Sequence, residues 1–167
     1  MALIAALAIA TIGLAVVYVP NAFERLQSER PAPKIAFTDE GGREISLDAF
    51  KGKIVIVNFW ATWCQPCMKE MPSLDRLAAR LPSESFAVVA VNEDRGGVAV
   101  ARPVLERIGV RGLAFYADPG GRLSRDFGVR GFPTTVLIGR NGNLLGNHEG
   151  EVDWDQKGQI SYLLSLP

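Results

Sequence analysis

Cysteine and histidine are scarce in this 167-residue chain, with two of the first and one of the second. Two cysteines cannot build the disulfide lattice of a small secreted scaffold. With a single histidine they also fall short of the four ligands of a closed structural zinc site. Neither sign of charge is in excess, because 18 Lys and Arg balance 18 Asp and Glu. No basic stripe gathers anywhere along the chain, so a nucleic-acid partner is not expected. There are no internal repeats, and no low-complexity tract lies outside the N-terminal run. The length and the 48% hydrophobic content suit one domain with a real core, and hardly two.

Charge is missing altogether from residues 2–19. As a helix that run would be about 27 Å long, close to the ~30 Å hydrocarbon core of a bilayer. Pro20 and Asn21 end it, charged residues follow, and Tyr18 sits where an interfacial aromatic would. Three readings compete. A cleaved signal peptide wants a charged start and a small-x-small cleavage site, and neither is evident. A core helix apolar on every face rarely suits so small a domain. An uncleaved membrane anchor over residues 1–20 fits best. The flanking charges give no orientation, since Arg25 and Arg30 are accompanied by acids.

Residues 21–33 are polar, carry Pro31 and Pro33, and read as a short, stiff tether. Residues 34–167 then form the domain. Residues 44–47 suggest a short strand, and Ser46-Leu47-Asp48 a helical turn that Gly52 ends. Residues 54–60 are continuously apolar except for Asn58, as in a strand buried on both faces. From Cys67, the spacing of Met71, Leu74, Leu77, Ala78 and Leu81 predicts a helix that Pro72 should kink. Strands are expected at residues 86–91, 113–116, 134–138 and 143–146. Helices are expected at 98–108, 123–127 and 154–166. Arg140-Asn141-Gly142 is a hairpin turn between the last two strands. The order predicts an α/β fold, a mixed central sheet flanked by helices.

Both cysteines fall in one motif, Cys64-Gln65-Pro66-Cys67, at the junction of that buried strand and the helix. A thiol attacks only as thiolate, and the free side chain has a pKa near 8.5. A helix N-terminus carries about half a positive charge and unpaired N–H groups. Cys64, at or near the N-cap, is therefore the expected nucleophile, and Cys67, one turn inward, the resolving thiol. Pro66 suits the first helical turn and stiffens the loop. Trp63 would cap the site towards solvent. The chemistry is a mixed disulfide: Cys64 attacks a partner disulfide, and Cys67 then attacks the Cys64–partner bond. Run backwards, the same steps oxidise a partner, so direction stays open. Further along, Gly131-Phe132-Pro133-Thr134-Thr135 could open an edge strand or hold a cis-proline. The upstream cysteine pair favours the second.

The strings WATWCQPC, KEMP, VVAVN and GFPTT, with Ser46-Leu47 and Phe50-Lys51-Gly52-Lys53 ahead of the strand, occur in order. With them the chain resembles the thioredoxin superfamily, and more narrowly the membrane-anchored TlpA/ResA-like reductases, over about residues 34–164. The resemblance implies a thioredoxin-like fold, Cys64 as nucleophile, Cys67 as resolving thiol and a cis Pro133 facing the disulfide. Phe132 would offer backbone groups to a bound substrate chain, with Trp63, Gln65, Pro66 and Thr134 around it. It also implies a domain outside the cytoplasm, on the inner membrane. Its partners would be cysteine-bearing proteins of cytochrome c maturation or copper delivery, and a membrane thiol–disulfide electron donor. No cofactor beyond the cysteine pair is expected, and the chain is expected to be a monomer.

One departure matters. Thioredoxin has a buried aspartate on the strand before its active site, and here that position is Asn58, which cannot titrate. ResA-like members use an acid near the end of the next strand, which points to Glu93 or Asp94 as acceptor of the Cys67 proton. The alternative is a solvated acidic loop. His148, Trp154 and Tyr162 read as structural. A disulfide oxidase or isomerase is the alternative activity, and a copper chaperone using Cys64, Cys67 and His148 a more distant one.

Overall fold

The computed structural model describes residues 22–26 and 30–167. The expected anchor over residues 1–20 lies outside them. Among the described residues no helix is long and apolar enough to cross a membrane.

Seven apolar-rich residues make β4 (Ile54–Trp60), which is buried along its whole length. It is the middle of the sheet because its two faces feed two cores. Ile54, Ile56 and Trp60 point into one cluster with Met71, Leu74 and Leu77 of α1 (Gln65–Arg80). Val55, Val57 and Phe59 point into the other, with Leu123 and Phe127 of α3 (Arg122–Phe127). The two-residue period of a strand thus puts Asn58 on the α1 face, among the first set. On one side β4 pairs in parallel with β5 (Phe86–Asn92), and β5 with β6 (Phe115–Ala117). On the other side β7 (Thr134–Ile138) pairs antiparallel with β4, and β8 (Leu144–Glu149) with β7. Helices α2 (Val98–Arg107) and α4 (Lys157–Leu164) supply Ala101, Leu105 and Leu163 to the α1 side of the sheet. The mixed sheet flanked by helices is the one expected, and α1 runs on through Pro72.

Two short strands were not anticipated, and the strand expected at residues 44–47 forms over its first two residues only. β2 (Phe37–Asp39) joins the sheet beside β6 and carries β3 (Glu44–Ile45) on its outer edge. β1 (Glu24–Arg25) pairs with the free edge of β8. Residues 22–26 are therefore part of the fold, not a tether. Phe23 is buried, with its ring 5.5 Å from Trp154 and 6.1 Å from Tyr162. Gly146 permits the approach, since a Cβ there would meet the Glu24 carbonyl oxygen at 2.7 Å. The tether looked polar because one buried aromatic in a short edge strand leaves no periodicity to read.

Candidate active site

The carboxyl end of β4 delivers the chain into α1 through Ala61-Thr62-Trp63-Cys64. Asp94 shapes this turn. It accepts from the Thr62 N–H at 2.7 Å, the Thr62 hydroxyl at 3.0 Å and the Asn92 amide at 2.7 Å. Cys64 is the N-cap of α1, and its sulfur accepts the Cys67 N–H at 3.2 Å. That N–H and the helix dipole both favour negative charge on Cys64. The two cysteines are joined as a disulfide, with Cα atoms 5.2 Å apart. Cys67 is fully buried, whereas Cys64 keeps 5% of its surface in contact with solvent. Attack from outside therefore falls on Cys64.

The Phe132-Pro133 bond is cis, and Pro133 directly precedes β7. Thr134, the first β7 residue, lies opposite Phe59 of β4, and its hydroxyl donates to the Gly131 carbonyl at 2.8 Å. The Phe132 ring stands 5.8 Å from that of Trp63, which is 68% exposed. Gln65 and Pro66 are exposed beside them. Phe132 precedes the paired part of β7, so a guest chain would meet it ahead of the ladder.

The structure separates the two acids expected to serve Cys67. Asp94 is engaged with the Thr62 turn. Glu93 faces α3, accepting the Ser124 hydroxyl at 2.9 Å, and its second oxygen is buried without a partner among the described residues. Burial first, and the neighbouring Asp118 second, push its pKa up to about 7 against Ser124 and Arg125. Neither acid has a hydrogen bond to the cysteine pair.

A third acid, not among those expected, stands on α1 itself. Glu70 follows Cys67 by three residues, on the buried stripe of α1, and is only 2% exposed. Its Oε1 accepts the Asn58 amide at 2.7 Å, and that amide also donates to the Thr135 hydroxyl at 2.9 Å. Its Oε2 accepts the Val152 N–H and the Trp154 indole N–H, both at 3.1 Å. Burial drives its pKa up to about 7, although the donors from Asn58, Val152 and Trp154 pull the other way. The group thus titrates at neutral pH one helical turn from Cys67. A cleft of about 350 Å³ between α1 and residues 151–153 reaches it, lined by Lys69, Ser73 and Arg76 among others. The sequence held a signal for Glu70: a charged residue on the apolar stripe of a helix, matched by the one amide in the β4 run.

His148 Nδ1 lies 2.8 Å from the Ala22 carbonyl oxygen, and Trp154 is fully buried. Tyr162 packs beside Phe23. All three hold the edge of the fold, and Trp154 also touches the site through Glu70.

The redoxin family model, described as Redoxin, matches residues 27–164. The thiol-disulfide oxidoreductase ResA of Bacillus thuringiensis subsp. konkukian is 34% identical over 135 residues, 80% of this chain and 76% of that one. ResA of Halalkalibacterium halodurans is 31% identical over 147 residues, 86% and 82% of the two chains. Among solved structures, a putative thiol:disulfide interchange protein DsbE from Chlorobium tepidum superposes with a TM-score of 0.72 at 33% identity. It covers 84% of this chain and 99% of that one.

Proposed function

The chain belongs to the redoxin family, as a ResA-like thiol–disulfide oxidoreductase with a thioredoxin-like fold, and on that footing we propose that it reduces disulfides in specific partner proteins from the extracytoplasmic face of a membrane. Its substrates are cysteine-containing proteins. In the proposed cycle the Cys64 thiolate attacks one sulfur of the partner disulfide, and the partner's other sulfur leaves as a thiolate and takes a proton. Cys67 then loses its proton and attacks the Cys64 sulfur. The second partner thiol departs, so the partner gains two electrons and the pair returns to the disulfide.

The likeness to the ResA thiol-disulfide oxidoreductases, with Cys64 at the N-cap and Cys67 buried behind it, carries the reading. Within the site, the Glu70 carboxyl group, one turn from Cys67 and ionised above about pH 7, opposes a second negative charge there. With its pKa near neutrality, Glu70 also suits the exchange of the Cys67 proton, a role proposed here in place of Glu93 and Asp94.

Residues 2–19 are read as the anchor, and an oxidising compartment then calls for a membrane thiol–disulfide donor to restore the dithiol. The preferred partners are proteins of cytochrome c maturation or copper delivery. No cofactor beyond the cysteine pair enters the cycle.

A Cys67→Ser variant should stall the cycle and accumulate partners disulfide-linked to Cys64, whereas Cys64→Ser should capture none. The reduction potential tests direction. A value near −270 mV, about that of thioredoxin, supports the reductase, and one near −120 mV, about that of DsbA, overturns it in favour of an oxidase.

A further inference from the structure

We propose that the docking of β1 turns the pole of the domain bearing Cys64 towards the lipid bilayer, so that the cysteine pair meets thiols and disulfides held in or against the membrane. The proposal rests on the reading of residues 2–19 as an anchor, and adds an orientation that the reading leaves open.

The direction of β1 carries the argument. Glu24 lies opposite Asn147 and Arg25 opposite Gly146 on β8. β8 in turn sets His148 opposite Thr135 and Glu149 opposite Thr134, just past Pro133. Traced backwards from Arg25 to Ala22, the chain therefore runs towards the end of the sheet that holds the site. Ala22 is fixed there from two sides. Its carbonyl oxygen lies 2.8 Å from His148 Nδ1, and its N–H donates to Gln159 Oε1 at 3.0 Å.

Only Pro20 and Asn21 separate Ala22 from the apolar run in sequence. The three Cα–Cα steps from Val19 to Ala22 span at most about 11 Å. The opposite end of the sheet, where β7 turns into β8, lies a strand length away, roughly 17 Å farther from the same point. Three strand spacings, about 14 Å, separate β1 from β4, which leads into Cys64. So short a connection keeps the site end of the sheet nearer the apolar run than the opposite end.

Of the three large apolar side chains exposed among the described residues, Trp63 and Val100 agree with this orientation. Leu164 lies towards the other end, three residues before Pro167, whose carbonyl oxygen accepts from Arg140 in the β7–β8 turn. Trp63 adjoins Cys64. Val100 lies in the first turn of α2, which begins just beyond the same end of β5, where the Gly97 N–H meets the Asp94 carbonyl. Tryptophan is the side chain favoured at a membrane–water boundary.

A membrane-borne dithiol would be well placed to act on the pair. Its thiolate attacks the Cys64 sulfur, and Cys67 leaves as a thiolate and takes a proton. The donor's second thiol then releases Cys64, leaving the donor oxidised and the pair reduced.

The test uses the full chain in vesicles of phosphatidylcholine and phosphatidylglycerol, with and without a nitroxide on the headgroup. Trp60 and Trp154 are fully buried, so the Trp63 emission is taken as the difference from a Trp63→Phe variant. The nitroxide should reduce that emission about twofold or more. A Gly/Ser spacer of about twelve residues between Asn21 and Ala22, spanning roughly 20 Å, should restore most of it. Failure of the chain to float with the vesicles overturns the anchor reading and the orientation with it. Flotation with unquenched Trp63 overturns the orientation alone. Quenching that survives the spacer overturns the role given to β1.

Discussion

Replacing Glu70 by Gln should flatten the fall of stability that the folded protein shows on going from acid to neutral pH. The folded protein holds the Glu70 proton up to about pH 7, whereas an exposed glutamate releases it near 4.5. Between these values the folded state binds more protons than the unfolded one, so stability falls as pH rises and levels off above 7. At about 1.4 kcal/mol per pH unit, the gap comes to about 3 kcal/mol. Gln removes that dependence but brings its own cost. The carboxylate accepts from Asn58 on one oxygen and from Val152 and Trp154 on the other. An amide has a single acceptor, and one unmatched buried group costs about 1–3 kcal/mol. The two effects nearly cancel at pH 8, so absolute stability there is a poor readout, and the slope is the good one. Urea unfolding of the oxidised protein in mild detergent, from pH 4.5 to 8, measures it. Glu93 titrates in the same window and in the same direction. It is common to both proteins and drops out of the difference. A wild-type-minus-variant difference that stays constant across this range refutes the reasoning.

Asn58→Asp would set a second carboxyl group at the position now 2.7 Å from Glu70. One of the two must stay protonated, and stability at pH 8 should drop by about 2–3 kcal/mol, with recovery below pH 5 in the same unfolding assay. Trp154→Phe deletes one donor to Glu70 and leaves a smaller aromatic ring in its place. The midpoint of the Glu70 titration, followed by NMR on side-chain-labelled glutamate, should move upwards, and an unmoved midpoint contradicts the contact. Phe23→Ala should cost about 3–5 kcal/mol by emptying the space beside Trp154 and Tyr162. A loss under about 0.5 kcal/mol would mean that residues 22–26 are a tether after all. Asp94→Ala removes the acceptor of the Thr62 N–H and hydroxyl. It should destabilise the oxidised protein by about 1–3 kcal/mol and speed amide exchange at Thr62.

The expected elements that proved correct were those with a strong local pattern. The apolar run of β4, the three-and-four spacing along α1 and the Asn141-Gly142 turn each place neighbours through short-range geometry. β1 and β2 were missed because strands of two and three residues exist only through their partners on β8 and β6. Glu93 and Asp94, just past β5, were the expected acids because Asn58, on β4, cannot titrate. In the structure Asn58 is the donor that helps to hold Glu70.

By itself the sequence determined the chemistry at Cys64 and Cys67, their unequal roles, and the central strands that carry them. These follow from residue type and from spacing along a single strand or helix. Tertiary structure alone decided that the carboxyl group one turn from the resolving thiol is buried, which donors hold it, and near which pH it titrates. Glu70 owes its state to burial, with Asn58, Val152 and Trp154 converging on it from 12, 82 and 84 residues away. The energy of a buried charge depends on what surrounds it in space, and no local pattern carries that information.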